Sequence, residues 1–476
     1  MNVLFCSPEV YPFSKIGGVA DFSQALPKAL NELGNTVYVV TPYYERVAHN
    51  FGKKAKYLGE KEIIFGTEKE IAKYYLIEYE NTKYYFVSHD FFNRRYFFNH
   101  SDDAKRFIFF NIAILEMLDL IDFYPDIIHV NDWSTALVPY FLTTEYIDRP
   151  KYSRIKTLLT IHNLERQGAF DRSFESLFTK KNFTYLHLNN INFLKTGIMR
   201  STRINTVSKS YRSEILTKFF GFTLDGALKA RQLQLKGIQN SLDFDLYNPE
   251  TDKFVYHNYN KENFLEGKKA NKEQLLKHLG LKDNNKMIVA FISRFAKEKG
   301  ISLITSVVEE YLKNDDFYFL VIGEGDQQFV DYFNELQTNY PKNCHFVNEH
   351  NNEISQKYYA GADLLLMPSL YEASGLNQMI AMRYGTLPLV RDTGGLKDTV
   401  INYSKETNNG CGFTFENFDE DEFKEALNHA IDIYYNDKKT WNTIIKNAMA
   451  IDNDNETMAK EYIELYKEIE NEHTYR

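Results

Sequence analysis

Cysteine is rare in this sequence. Only 3 of its 476 residues are cysteines, Cys6, Cys344 and Cys411, and they form no CxxC pair and no histidine spacing typical of a zinc site. This usage argues against a disulfide framework and against structural zinc. It favours reduced, buried thiols in a cytoplasmic protein.

Long apolar runs and a cationic leader are also missing. The N-terminus, Met1–Pro8, has no positive flank and no run long enough for a signal peptide. The most apolar stretch, residues 107–121, is interrupted by Asn111, Glu116 and Asp119. That pattern indicates a helix facing a core rather than a bilayer. We therefore expect no membrane association and a cytoplasmic location.

Positive charge is not in excess. The formal net charge of −9 argues against a nucleic acid or an anionic membrane as partner, although local basic patches can still bind phosphates of a small ligand. Tryptophan is scarce, with 2 residues, whereas the chain has 34 tyrosines and 37 phenylalanines. Carbohydrate stacking would use such aromatics, but a compositional bias explains them equally well.

Short apolar runs recur along the chain, and each is followed by a loop and a helical pattern. In the first half the runs are Val3–Cys6, Val37–Thr41, Ile127–Val130, Leu158–His162 and Ile204–Val207. In the second half they are Met287–Ser293, Tyr318–Gly323, Leu364–Ser369 and Leu387–Val390. Short apolar runs are typical of buried parallel strands, and their alternation with helices predicts βαβ units. The two series predict two doubly wound α/β domains, whose ligands bind beyond the carboxyl ends of the strands.

A cluster of Asn, Asp, Pro and Thr at residues 240–252 indicates the domain boundary. We expect a first domain at 1–242, a second at 243–455, and a final helix at 456–476. That helix needs a partner surface and is expected to cross back to the first domain, because apolar residues recur in it at helical spacing. These are Met458, Tyr462, Leu465, Tyr466 and Ile469.

Paired glycines occur once in each half, in Gly17–Asp21 and in Gly394–Asp398. A paired-glycine turn that opens a helix presents free N–H groups and the positive end of the helix dipole, which suits an anion. A single pair is often only a turn. Two copies at strand-to-helix junctions leave the anion site and the plain turn evenly matched.

Charged residues follow two strands of the second half. Arg294 and Lys299 lie five positions apart after a predicted strand, so both can turn toward one phosphate. Glu372 lies between a strand and a helical pattern, where a carboxylate can accept hydrogen bonds from sugar hydroxyls. The alternatives are a solvated basic loop and a carboxylate that stabilises a helix start.

In the first half, His162 ends a strand and could donate to a hydroxyl, although a lone histidine is often structural. Asp132 and Trp133 follow another strand, and the indole could stack on an acceptor sugar. A buried tryptophan beside a capping aspartate is the alternative. Two further patterns are discounted, the metal-like Asp243–Asp245 and the incomplete dinucleotide fingerprint Gly323–Asp326, so we expect no metal and no cofactor.

Taken together and in order, these motifs resemble bacterial glycogen synthases and plant starch synthases over nearly the whole chain. The resemblance implies a GT-B fold, in which two Rossmann-like domains face each other across a cleft. It implies a retaining enzyme that transfers glucose from ADP-glucose to the non-reducing end of an α-1,4-glucan without a metal. The matching segments are Ser14–Asp21, His129–Trp133, Thr160–Gly168, Thr206–Ser208, Gly237–Asn240, Ser293–Gly300, Gly361–Asp363 and Pro368–Gly395.

The resemblance also implies a role for each matching residue. The catalytic set comprises Arg294 and Lys299, which hold the phosphates, with His162 and Glu372, which contact the transferred glucose. Donor contacts are implied for Lys15, Gly17, Gly18, Gly375, Leu376, Thr393, Gly394 and Gly395. The glucose and acceptor region is implied for Asp21, Asp132, Trp133 and Asn240.

Some positions depart from the family pattern. Ala373-Ser374 replaces the usual Pro-Cys, and Ile380 replaces a second Glu, which argues against a relative of the sucrose-phosphate-synthase type. His350 stands where a tyrosine usually lies against the adenine, so the choice between ADP-glucose and UDP-glucose stays open. One alternative is the same fold using UDP-glucose or a small acceptor. The other is a non-catalytic glucan-binding scaffold.

Overall fold

The computed structural model describes residues 1–181, 183–282, 285–349 and 351–472. The chain divides into two compact units. The first combines Met1–Ser241 with the chain from Asn455 onward, and the second is Leu242–Asp454. Within the described ranges, every helix is too short or too polar to cross a membrane.

The strands carry the numbers β1 to β18 in chain order. They are β1 (Asn2–Cys6), β2 (Thr36–Pro42), β3 (Lys56–Phe65), β4 (Glu68–Tyr79), β5 (Thr82–Ser88), β6 (Ile127–Asn131), β7 (Lys156–Ile161), β8 (Ala169–Phe170), β9 (Leu186–His187), β10 (Asn190–Asn192), β11 (Arg203–Thr206), β12 (Leu235–Gly237), β13 (Met287–Ile292), β14 (Phe317–Ile322), β15 (Cys344–Val347), β16 (Leu364–Met367), β17 (Leu387–Arg391) and β18 (Phe413–Phe415).

The α-helices carry the numbers α1 to α17. They are α1 (Gly18–Glu32), α2 (Glu45–Phe51), α3 (Asp103–Ile121), α4 (Asp132–Thr135), α5 (Val138–Thr144), α6 (Phe193–Arg200), α7 (Lys209–Glu214), α8 (Asp225–Ala230), α9 (Phe264–His278), α10 (Ile301–Lys313), α11 (Gln327–Asn339), α12 (Asn352–Gly361), α13 (Asn377–Arg383), α14 (Gly394–Thr399), α15 (Glu420–Asn436), α16 (Lys438–Met449) and α17 (Asn455–Glu470).

The first unit is built on a nine-stranded sheet with the order β12-β11-β7-β6-β1-β2-β5-β4-β3. From β12 to β5 all neighbouring strands are parallel. Residues such as Val3, Leu4 and Phe5 are fully buried, as expected for strands covered on both faces. The carboxyl ends of β1, β6 and β7 therefore lie side by side at one edge.

The strands β3, β4 and β5 extend this sheet in a way that the sequence did not predict. β3 pairs antiparallel with β4, and β4 pairs antiparallel with β5. In β4 exposed charged residues such as Lys69 and Lys73 interrupt the buried ones, so most of the strand lacks the unbroken apolar run of a strand buried on both faces. Glu80 and Asn81 join β4 to β5 with positive φ values of 46° and 58°, as a tight hairpin turn requires.

Helix α17 belongs to the first unit, although it lies at the other end of the chain. Its buried residues include Tyr462, Leu465 and Tyr466. The Tyr462 ring lies 5.9 Å from the ring of Phe22 in α1, centroid to centroid. The apolar spacing seen in the sequence is therefore the face that packs against this unit.

The second unit has a six-stranded, all-parallel sheet with the order β15-β14-β13-β16-β17-β18. Its strands are almost continuous apolar runs, as expected for a parallel sheet that is buried on both faces. The strand order reverses between β13 and β16. Open parallel sheets bind ligands at this kind of switch point.

All the strands predicted from apolar runs are present, with ends that differ by one or two residues. One shift concerns a candidate site residue. β7 ends at Ile161, so His162 is the first residue after the strand and not its last. Helix α3 covers the apolar stretch at 107–121 and is largely buried, as expected for a core helix.

Candidate active site

In the first unit, a buried carboxylate holds the loop that follows β1. Glu9 is 5% exposed, and its Oε2 accepts the backbone N–H groups of Ile16 and Gly17. Burial raises the pKa of Glu9 to about 7, because a charge is costly away from water. Lys15, in the same loop, places its Nζ 2.7 Å from Oδ1 of Asp21 in α1.

These contacts bear on the anion site that the sequence left evenly matched with a plain turn. Such a site uses free N–H groups at the paired glycines, but the N–H of Gly17 donates to Glu9 at 3.2 Å. Gly17 is the N-cap of α1, so the helix does begin at this pair. An anion at this loop would have to use Lys15 and the amides from Gly18 onward.

Asp132 joins the ends of β6 and β7. It has a left-handed backbone with φ of 53°, which aspartate tolerates better than most residues. Its Oδ1 accepts the backbone N–H of His162 at 2.7 Å and that of Asn163 at 3.4 Å. Burial raises the pKa of Asp132 to about 7. This carboxylate therefore supports the segment that carries His162.

The His162 side chain is nearly enclosed, with 9% of its surface exposed. Its Nε2 lies 2.9 Å from Oδ1 of Asn131, and its ring packs edge-on against Phe22 with centroids 4.8 Å apart. Burial lowers the pKa of His162 to about 3. The imidazole is therefore neutral at neutral pH.

The side chains of Trp133 and Asn240 differ in whether their contacts within the protein satisfy them. Trp133 is 9% exposed, and its indole packs against aromatic rings that include Phe107, at 4.8 Å between centroids. Gly168 has φ of 59°, and a Cβ there would overlap the indole. By contrast, Oδ1 of Asn240 is enclosed without a hydrogen-bond partner in the described part of the chain.

In the second unit, the loops that follow β13 and β16 pair their charges. Lys299 places its Nζ 2.7 Å from Oε2 of Glu372, which also accepts a hydrogen bond from the Ser369 hydroxyl at 3.3 Å. Arg294 pairs with Glu298 instead. The two cations expected to meet one phosphate are thus each held by a different carboxylate.

Close backbone contacts fix the relative position of these two loops. Gly300 has φ of 70°, and a Cβ there would overlap the carbonyl oxygen of Pro368. The backbone N–H of Leu370 donates to the carbonyl of Glu298 at 2.8 Å. Arg391, at the end of β17, adds a hydrogen bond of 2.7 Å from Nε to the carbonyl of Ser369. The positions of Lys299 and Glu372 are therefore set by three adjacent strand ends.

The turn at the start of α14 packs directly on the Glu372 loop. Gly394 has φ of 47°, and a Cβ there would overlap the carbonyl oxygen of Glu372. The N–H of Gly395 donates to that same carbonyl at 3.0 Å, so this amide already has an acceptor within the loop. The other residues expected at the donor lie in the same region: Gly375 with φ of 72°, Leu376 as N-cap of α13, and Thr393 as N-cap of α14. His350 lies outside the described residues.

Among the described residues, no group of three or more His, Cys, Asp or Glu side chains is arranged to hold a metal ion. The discounted Asp243–Asp245 motif is a turn, in which Oδ1 of Asp243 accepts the N–H groups of Asp245 and Leu246. The three cysteines are buried free thiols, as expected from their spacing.

Sequence reasoning missed three residues, each of which binds a candidate site residue or its loop within the same unit. Glu9 binds the Lys15 loop, Asn131 binds His162, and Glu298 binds Arg294. Asn131 and Glu298 fall inside motifs that the sequence singled out, so their polar character beside a site residue was a usable signal. Glu9 had no such signal, because its partners are turn amides that only the fold brings to it.

Comparisons with known proteins define the class. Residues 2–230 match the family described as "Starch synthase catalytic domain", and residues 272–450 match "Glycosyl transferases group 1". The catalytic domain of starch synthase IV from Arabidopsis thaliana, bound to ADP and acarbose, is similar with a TM-score of 0.91, 29% identity and 99% coverage of both chains. Sucrose-phosphate synthase from Thermosynechococcus elongatus shares the fold, with a TM-score of 0.62 at 16% identity and 98% coverage of both chains. The protein is a glycosyltransferase with the GT-B fold.

Full-length relatives narrow the class to one family. The glycogen synthase of Acholeplasma laidlawii is 44% identical over 474 residues, which cover 98% of this chain and 99% of that protein. The glycogen synthase of Thermotoga maritima is 42% identical over 480 residues, with 98% of each chain covered. The chain belongs to the glycogen/starch synthase family. The fold and the family expected from the sequence are thereby confirmed.

Proposed function

We propose that this enzyme transfers glucose from ADP-glucose to the non-reducing end of an α-1,4-glucan, with retention of configuration and without a metal ion. The observation that carries the proposal is the Lys299–Glu372 pair at the switch point of the second sheet, with Arg294 in the same loop. The ADP bound to the Arabidopsis starch synthase IV supports an adenine nucleotide. We place the enzyme in the cytoplasm, where buried free thiols stay reduced.

The cations are suited to a departing diphosphate. Breaking the bond to the donor phosphate develops negative charge, which preorganised cations stabilise. Arg294 and Lys299 each bind a carboxylate, and the phosphate oxygens of the donor can take the place of these carboxylates. Lys15, paired with Asp21, is assigned the same role in the loop after β1. The amides of Gly18, Gly375 and Gly394 are assigned as further donors.

The remaining residues are assigned to the sugars. Glu372, with Leu376 and Thr393 beside its loop, grips the hydroxyls of the transferred glucose from the second unit. His162 contacts the same glucose, as a neutral imidazole. On the acceptor side we assign Asp21, Asp132, Trp133 and Asn240. The enclosed, unpaired Oδ1 of Asn240 supports its assignment, because a buried acceptor without a partner suits a ligand hydroxyl.

We assign retention to substitution on one face of the glucose. The bond from the anomeric carbon to the phosphate oxygen breaks, and its electron pair leaves with the diphosphate. The acceptor hydroxyl oxygen forms the new bond on the same face, and its proton passes to the departing phosphate. Arg294 and Lys299 stabilise the charge that develops on that phosphate.

A donor panel tests the assignment of substrates. Purified full-length protein is given ADP-glucose or UDP-glucose, with glycogen or maltooligosaccharides as acceptor, with and without EDTA. We expect ADP-glucose to have the higher kcat/KM, an α-1,4 product, and no effect of EDTA. Turnover with UDP-glucose that equals or exceeds that with ADP-glucose would refute the donor assignment. Loss of activity in EDTA would refute the metal-free mechanism.

A matched pair of lysine variants tests the site. Lys299→Ala is expected to lower kcat roughly 100-fold, the usual effect of losing a group that stabilises developing charge. Lys297→Ala, two residues away and exposed, is the control and is expected to stay near wild type. Equal rates for the two variants would show that Lys299 does not serve the departing phosphate.

A further inference from the structure

Asn131 has its side-chain orientation set by two partners. Its Nδ2 donates to the backbone carbonyl of Cys6 at 2.9 Å, and its Oδ1 lies 2.9 Å from Nε2 of His162. Both asparagine contacts are buried, since Asn131 has no exposed surface. A backbone carbonyl can only accept, so the amide atom facing Cys6 must be the nitrogen. The atom facing His162 must therefore be the oxygen.

This orientation decides where His162 carries its proton. The amide oxygen of Asn131 has no hydrogen to give, so Nε2 of His162 has to be the donor. A neutral imidazole has only one N–H, and burial keeps this ring neutral. Nδ1 is then a bare acceptor, and it makes no hydrogen bond within the described part of the chain.

We propose that Asn131 is a positioning residue that holds His162 in the tautomer protonated on Nε2, so that Nδ1 accepts a hydrogen bond from a hydroxyl of the transferred glucose. The proposal rests on the proposed function, which assigns His162 to that glucose. It reverses the direction expected from the sequence, in which His162 donated to the hydroxyl. With the other tautomer, Nε2 and Oδ1 would be two acceptors in contact.

The tautomer itself is measured by NMR on full-length protein labelled with 15N-histidine. Long-range 1H–15N correlations show which ring nitrogen is protonated, and loss of signals in His162→Gln assigns the residue. We expect Nε2 protonated and Nδ1 bare at neutral pH. A ring protonated on Nδ1, or on both nitrogens, would overturn the proposal. This measurement needs no substrate, so its failure is separate from failure of the proposed function.

Asn131→Ala tests whether the asparagine is what selects the tautomer. We expect a mixture of the two tautomers and a kcat/KM roughly 10- to 100-fold lower, as for loss of other groups that orient a functional histidine. Asn205→Ala is the matched control. Asn205 is equally buried in β11, on the far side of β7 from Asn131, and its amide donates to Tyr462. In this control the NMR signals of His162 should still show a ring protonated on Nε2. If Asn131→Ala also left those signals unchanged, the role of Asn131 would be refuted.

Donor analogues test the direction of the hydrogen bond. Fluorine in place of a sugar hydroxyl can accept but cannot donate, so it cannot serve an accepting Nδ1. For each analogue we compare kcat/KM of the natural donor with kcat/KM of the fluoro donor. At the hydroxyl that His162 contacts, this ratio should be roughly tenfold larger in the wild type than in His162→Ala. The comparison with His162→Ala removes the inductive effect of fluorine, which is common to both proteins. Equal factors at every position would show that Nδ1 does not accept.

The possible outcomes remain separable. If unmodified ADP-glucose supports no transfer, the proposed function fails, while the NMR result still decides the tautomer. If Asn131→Ala unfolds, as its thermal melting curve would show, the wild-type NMR spectrum and the analogue ratios still decide the proposal.

Discussion

Glu9 shows at the scale of one residue how a buried group shapes the loop that carries Lys15. Its carboxyl is 5% exposed and receives two consecutive turn amides, those of Ile16 and Gly17. Without it both amides would lose their acceptor within the protein, and the loop would lose the two hydrogen bonds that hold it. The loop geometry that presents Lys15 therefore depends on a side chain outside the glycine motif.

We predict that Glu9→Ala raises the KM for the nucleotide-sugar donor roughly tenfold, because the Lys15 loop loses its anchor and one lost hydrogen bond is worth about a factor of ten. Glu9→Gln should stay close to wild type, since its amide oxygen can still accept both N–H groups. Steady-state kinetics with saturating glycogen checks both variants. If Glu9→Gln were as impaired as Glu9→Ala, the carboxyl would act as an acid or base and not as an anchor.

At the scale of elements, α17 is joined to the first sheet by polar bonds as well as apolar packing. The Tyr466 hydroxyl lies 2.8 Å from Nδ1 of His129, and Asn205 donates to the Tyr462 hydroxyl at 2.8 Å. His129 also contacts Thr160 through Nε2 at 2.7 Å. Burial lowers the pKa of His129 well below its usual range, so the ring is neutral and satisfied by these partners.

We predict that Tyr466→Phe lowers the free energy of unfolding by about 1–3 kcal/mol, because it leaves the buried Nδ1 of His129 without a partner. Tyr96→Phe is the control, since Tyr96 is 66% exposed. The control should change the free energy by less than about 0.5 kcal/mol. Urea unfolding followed by circular dichroism compares the two. Equal midpoints would mean that water replaces the lost hydroxyl.

At the scale of the whole molecule, the two units differ in how the chain builds them. The second unit is one continuous segment, Leu242–Asp454, with its own apolar core. The first unit needs two segments that are distant in the chain, because α17 completes it. Continuous units of this size usually fold independently.

We therefore predict that a fragment of residues 242–454 unfolds cooperatively by itself. A fragment of residues 1–241 should not, because the surface around Phe22 and His129 that α17 covers would be open to water. Co-expression of residues 455–476 with the 1–241 fragment should restore its cooperative melting. Cooperative melting of the 1–241 fragment alone would show that α17 is dispensable for this unit.

Whether a strand could be predicted from the sequence depends on how many of its faces are buried. The predicted strands are present because a parallel strand buried on both faces reads as an unbroken apolar run. The strands β3 and β4 escaped prediction because one face of that extension is exposed and charged. Lys299 and Glu372 were both candidates from the sequence, but their pairing depends on β13 lying beside β16, which local patterns do not encode.

The sequence by itself determined the family, the fold class and the residue types at the paired-glycine loops, because these are properties of local pattern and motif order. Only the tertiary structure decided which hydrogen-bonding groups of the candidate site residues are already paired within the protein. The Gly17 amide is occupied by Glu9, and the proton of His162 is directed by Asn131. The physical reason is distance along the chain: Asn131 is oriented by Cys6, which lies 125 positions away and becomes its neighbour only when β1 and β6 pair.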